Sequence, residues 1–160
     1  MQLQRKQDLA VYYFIKDLFS DVSGINVVDE FPTTLLTLPT IAVEAYTIDN
    51  SRFLELGDTE RIMIRIWSID IFAANKAQRD EYGYRILTAL ETKVPVYDYD
   101  EGNPPMVLTK LGVLQPDRIQ MEFIRILPEL VDKLYYRANV NFTCTYDTVW
   151  NRRTKLWQNA

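Results

Sequence analysis

The side chains best suited to chemistry in this chain are carboxylates. Asp98, Asp100 and Glu101 crowd one short stretch after an apolar run, and together they could offer oxygen ligands to a hard cation. The plainer reading of such a cluster is a solvated acidic turn. Glu91 and Lys93 repeat the E-x-K spacing of metal-dependent nucleases, but they close a helical stretch where the same residues serve as dipole and surface charges. With Asp70 and Asp98 they define one expectation, a metal-dependent hydrolase or nuclease. No second pair of acids is nominated for glycoside hydrolysis. Absences exclude most of the rest. The chain contains no histidine and a single cysteine, Cys144, which removes serine and cysteine triads, histidine zinc sites, thiolate zinc and iron-sulfur clusters. None of its five glycines falls in a dinucleotide or triphosphate cradle. The expectation is a protein that is not an enzyme, with no cofactor and no resident metal.

Two other groupings suit binding. Arg61 and Arg65 alternate with Ile62, Ile64 and Ile66, and Trp67 follows; arginine and tryptophan are the types enriched where interfaces are strongest. An exposed arginine row over a buried isoleucine row explains the same pattern. The second grouping is a terminal segment carrying Trp150, Arg152, Arg153, Lys155 and Trp157. It has no core face of its own, and two tryptophans left in water are costly, which favours a partner surface. Single-stranded nucleic acid also takes arginine beside tryptophan. A net charge of -4 and a pI near 4.9 oppose a general attraction to nucleic acid or to an anionic membrane.

The elements that would hold these residues follow from periodicity. Gln2 to Phe19 carries a broad apolar stripe at helical spacing, and Asp21 to Gly24 end it. Ile25 to Val28 reads as an edge strand and Asp29 to Pro39 as an exposed loop. A strand opens at Pro39, a loop spans Asn50 to Asp58, and Thr59 to Ala73 is a long run of strand formers. Unbroken, that run would reach about 45 Å at roughly 3.3 Å per residue, against a radius of gyration near 15 Å for a compact chain of this size. The hairpin should therefore project. Its apolar positions also change phase at Trp67, which predicts either a bulge there or two halves covered by different bodies. Asn75 with Gln78 predicts a capped helix, with Gly83 packed closely on the sheet. Val94 to Tyr99 is a short strand, Asp100 to Leu111 a loop, Ile119 to Leu127 a strand, and Pro128 to Leu134 a bend. Arg137 to Asp147 alternates cleanly as a half-buried antiparallel strand, with Cys144 a buried thiol. The predicted class is α+β: a mixed, mainly antiparallel sheet carrying an N-terminal and a central helix, with a long hairpin over about 40–73. Residues 1–147 form a single domain and 148–160 a basic, aromatic tail. No secretory leader and no membrane span is expected.

This order of elements resembles the tail terminator, or tail completion, proteins of long-tailed bacteriophages. The likeness rests on the N-terminal helix, the Pro-containing loop from Phe31-Pro32 to Pro39-Thr-Ile-Ala-Val-Glu, and the hairpin ending Ile69-Asp-Ile-Phe-Ala. It continues through the helix with Gln78-Arg-Asp-Glu and the closing strand Arg137-Ala-Asn-Val-Asn-Phe-Thr-Cys-Thr-Tyr. It spans nearly the whole chain in layout and texture, without a diagnostic motif. The Asp100 to Leu111 loop and the Trp150 to Ala160 segment have no counterpart in it. What the resemblance implies is a structural virion protein that forms a six-membered ring on the tail tube, stops its polymerisation and docks to the head connector or neck. Its partners would be copies of itself, the tube protein, the connector and, in a contractile tail, the sheath protein. It would sit in the virion neck after assembly in the host cytoplasm. DNA would pass through such a ring without being gripped, so an acidic lumen is expected, with Asp98, Asp100 and Glu101 as candidates. Other neck and baseplate ring subunits share this texture. A monomeric adaptor acting through the basic tail is a further expectation.

Overall fold

The computed structural model describes residues 1–33, 36–53, 61–125 and 135–148, and the backbone alone at 47–53, 61–63 and 148. Helix α1 (Leu3–Leu18) buries Ala10, Val11 and Ile15, the stripe read from its spacing. Gly24, in the left-handed region at φ 80°, turns the chain into β1 (Asn26–Val28). Strands β2 (Thr40–Phe53) and β3 (Arg61–Ala73) make the hairpin, and α2 (Lys76–Ala89) follows. Its cap is the one the sequence predicts. Asn75 Oδ1 accepts from the Gln78 amide at 2.9 Å, and Gln78 Oε1 accepts in return from the Ala74 amide at 2.9 Å. Strands β4 (Val94–Tyr97), β5 (Lys110–Ile124) and β6 (Tyr136–Thr148) complete one six-stranded sheet in the order β1-β2-β3-β6-β5-β4. All neighbours are antiparallel except β1 and β2. The class is α+β, as expected.

Both helices cover one face of the sheet. There β3 and β6 set Ile71 beside Ala138, Ile69 beside Val140 and Trp67 beside Phe142, all essentially inaccessible to water. The Trp67 and Phe142 rings stack at 5.9 Å. Buried rings of this size are the largest single contributors to a core, each about 2–3 kcal/mol. Gly83 of α2 lies under the Met121 side chain, with Ile71 beneath, so the expected close packing on the sheet is present.

The phase change at Trp67 comes from which residues face inward and not from a bulge in β3 itself. Strand β3 pairs with β6 without a shift from Ile64 opposite Thr145 to Ala73 opposite Tyr136. Its inward set is Arg65, Trp67, Ile69, Ile71 and Ala73, a strict period of two. The sequence looks slipped because an arginine occupies an inward place, leaving Ile64 and Ile66 on the helix-free face. A bulge does lie beside Trp67, but on β2, where the extra residue between Ala45 and Thr47 is the largely exposed Tyr46. Two boundaries also move. Strand β2 runs to Phe53, through the start of the predicted loop, and β5 begins at Lys110 rather than Ile119. A register shift between Asp117 and Gln120, with Arg118 at φ 50°, lets the strand carry Pro116 next to a bulge. The predicted Pro128 to Leu134 bend lies outside the described residues.

Candidate interaction end of the sheet

The register brings several sequence-selected segments to one end of the sheet. Strand β3 is paired to β6 only from Ile64 onward, while its pairing with β2 runs on to Arg61 opposite Phe53. Beyond Ile64 the β2-β3 ribbon is therefore no longer bonded to β6, which itself runs on along β5 to Thr148. At the same end β6 stops at Thr148, opposite Gly112, and the loop from Asp98 to Thr109 joins β4 to β5. The described end of the ribbon at Phe53 and Arg61, the end of β6 at Thr148 and the acidic loop thus share one rim.

Arg65 and Trp67 are not on that rim. Both were expected at a partner-facing surface; Arg65 is 2% and Trp67 0% exposed. Arg65 Nη2 pairs with Asp8 at 2.7 Å, and its Nη1 donates to the Gln4 carbonyl at 2.7 Å and to Gln7 Oε1 at 3.1 Å. The guanidinium also lies 4.7 Å from the centre of the Trp67 ring. Arginine is inward because α1 supplies an acid and two acceptors at that level, so the charge is buried with partners. Burial pushes the Asp8 carboxyl above its usual range, although Arg65 and Arg5 pull it the other way. Arg61 opens β3 at the ribbon, and its side chain lies outside the described set, as do Trp150, Arg152, Arg153 and Trp157 altogether.

The acidic trio is braced rather than bare. Lys6 Nζ sits 2.6 Å from Asp98 Oδ1 and 2.7 Å from Asp100 Oδ2. Hydrogen bonds from Lys6 hold both carboxyls below the usual carboxylate range, and the same bonds raise Lys6. Glu101 accepts from the Thr109 amide and hydroxyl, each at 2.7 Å, and the Asp98 amide donates to the Thr109 carbonyl at 2.8 Å. These bonds cinch the two ends of the loop, so its middle is presented as a fixed structure. As a lumen candidate the trio is weaker than its sequence, because Lys6 offsets part of its charge. Among the described residues no three acids, histidines or cysteines converge on a possible metal position. Asp70 instead lies on the helix-free face in a two-pronged pair with Arg137, at 2.9 and 2.7 Å, while Glu91 and Lys93 are exposed after α2. The four residues of the hydrolase expectation are not brought together.

A groove that sequence reading missed runs beside the loop. Tyr13 and Phe14 of α1, Pro95 and Tyr97 of β4, Tyr99 and Pro104 line a cavity of about 220 Å³. A second, of about 300 Å³, continues from Tyr97 and Pro104 along Pro105 to Leu108. Tyr13 and Tyr99 stack at 5.4 Å, and burial raises the Tyr99 hydroxyl to about 12. Met106 is 59% and Val107 99% exposed. The available signal was Tyr97-x-Tyr99 followed by two prolines and two adjacent apolar residues in a loop.

No described helix is long and apolar enough to cross a membrane. Neither a family model nor a curated protein matches the sequence. Among solved structures, a chain described as "Virion of native gene transfer agent (GTA) particle" is similar at a TM-score of 0.47 and 16% identity, over 87% of this chain and 92% of that one. A likeness at that level carries no functional information.

Proposed function

We propose that this chain is a structural virion protein that assembles into a ring, six-membered as in the family it resembles, at the head-proximal end of a phage tail. There it ends tube polymerisation and docks the head connector. The observation that carries this reading is the β2-β3 ribbon that parts from β6 beyond Ile64, on the rim where β6 also ends. A closed ring needs two different surfaces that fit each other on neighbouring copies. A ribbon left unbonded on its β6 side supplies one, and either short edge strand, β1 or β4, supplies a receiving edge. The tube protein and the connector would be the axial partners, with the sheath protein added in a contractile tail. DNA would pass through without specific contact, consistent with the net charge of -4. The test is electron microscopy of the purified chain mixed with tail tubes of its own phage. Discs, or tubes capped at one end and fixed in length, are the expected result. Tubes that keep growing with bare ends at saturating protein overturn the reading.

A further inference from the structure

We propose that the groove lined by Tyr13, Tyr97, Tyr99, Pro104, Met106 and Val107 is the docking site for residues 149–160 of the same chain, with Trp150 and Trp157 as its apolar anchors. Three observations carry it. Position comes first: Val96 is opposite Gly112 and Gly112 is opposite Thr148, so β6 ends two strand spacings, about 10 Å, from β4. Because β6 runs antiparallel to β5, it reaches Thr148 running in the direction of Leu111, Lys110 and the Pro104 to Leu108 loop. Twelve residues follow Thr148, a reach of up to about 40 Å when extended, ample to cross to the groove and run its length.

The second observation is chemical fit. A groove walled by tyrosines and prolines, with Met106 and Val107 exposed at its mouth, suits flat amphipathic rings better than any charged ligand. Indole rings bring area at little cost in side-chain freedom. Charge is the third. Asp17 lines the groove and Glu101 lies in the same loop as Pro104; neither has a cation partner among the described residues. The segment supplies Arg152, Arg153 and Lys155. The proposal does not depend on the ring, since it concerns one chain, and each can fail without the other.

Intramolecular disulfide trapping in the full-length chain tests it. The native Cys144 is buried and its thiol pushed up to about 12, so it stays out of the exchange. In the Val107→Cys, Gln158→Cys variant, which keeps both tryptophans, dilute oxidation should give an intrachain bond roughly tenfold faster than in a control that replaces Val107→Cys by Thr88→Cys on the exposed side of α2. Equal rates overturn the proposal. A bond formed between chains also overturns it and makes a second copy the occupant. Val107→Asp, which leaves the core untouched, should raise acrylamide quenching of tryptophan fluorescence about twofold, because Trp67 stays shielded and only the docked rings are released. No change in quenching refutes docking.

Discussion

Replacing Arg65 by alanine separates the two uses an arginine at this position could have. If Arg65 were a contact for a neighbouring copy, the variant would fold normally and fail only in assembly. Its actual surroundings predict the reverse. The substitution removes an ion pair at 2.7 Å and two further hydrogen bonds, and leaves the Asp8 carboxylate and the Gln4 carbonyl without their partner. Breaking a buried pair by deleting one member costs about 3–5 kcal/mol. Asp8 keeps 25% of its side chain in water, which places the expected loss at the lower end, about 3 kcal/mol. That is a large share of a domain's total of about 5–15 kcal/mol. Urea unfolding, followed by near-ultraviolet circular dichroism, gives the value directly. Replacing both partners, Arg65→Met with Asp8→Leu, removes the stranded charge and should recover all but about 1 kcal/mol. The deficit of Arg65→Ala should also shrink with acidity. Burial raises the Asp8 carboxyl and Arg65 pulls it down; without Arg65 it rises further, so protonation as the pH falls toward 4 favours folding of the variant more than of the parent. An Arg65→Ala protein within about 0.5 kcal/mol of the parent at pH 7 would refute the buried network.

Other consequences follow from single contacts. Asp98 and Asp100 are held low by Lys6, so their contribution is complete above the ordinary carboxylate range near 4 and disappears as the pH falls through their lowered values. Lys6→Gln should flatten that acid limb in a pH series of melting temperatures, while an unchanged limb would contradict the pairing. At the alkaline end Cys144 and Tyr99 both rise to about 12. Their protonated forms belong to the fold, so stability should decline from about pH 9 upward, and Cys144→Ala should remove part of the slope in the same series. A Cβ on Gly112 would run into the Asp147 carbonyl and the Tyr146 hydroxyl. Because a backbone atom cannot turn aside, Gly112→Ala should cost about 1–3 kcal/mol in denaturant unfolding. Gly83→Ala meets only the flexible end of Met121, so the roughly 1 kcal/mol gain in helix propensity should leave it within about 1 kcal/mol of neutral.

What the sequence made legible was whatever rests on one element at a time. The stripe of α1, the Asn75 cap and the alternation of β6 are set by spacing within a dozen residues, and each is where it was expected. The misreadings share another origin, in contacts between segments far apart in the chain. Whether Arg65 faces inward depends on Asp8, 57 positions earlier, which no local pattern encodes. The acidic trio looked like a free cluster because Lys6, which neutralises part of it, lies more than 90 residues away. The start of β5 was placed at Ile119 rather than Lys110 because the bulge and the close approach of β6 that accommodate Pro116 and Gly112 belong to the pairing, not to the strand.

The inward arginine has a structural consequence of its own. With Trp67 stacked on Phe142 and Arg65 bonded to Gln4, Gln7 and Asp8, strand β3 is fastened to the first two turns of α1 at the level just before it leaves the sheet. Beyond Ile64 the ribbon loses β6 as a neighbour, and an isolated two-stranded ribbon is only marginally stable in water. An apolar residue at position 65 would pack the same level but would fix no angle, because apolar contact is non-directional. A guanidinium held at three points is directional. The pair with Asp8 is therefore expected to set the direction in which the ribbon departs. The apolar double variant, Arg65→Met with Asp8→Leu, should accordingly keep its stability and give a ribbon whose amides between Asp49 and Ile64 exchange faster than in the parent. If hydrogen exchange in those amides is unchanged, the arginine is only a filler of the core and the ribbon owes its direction to something else.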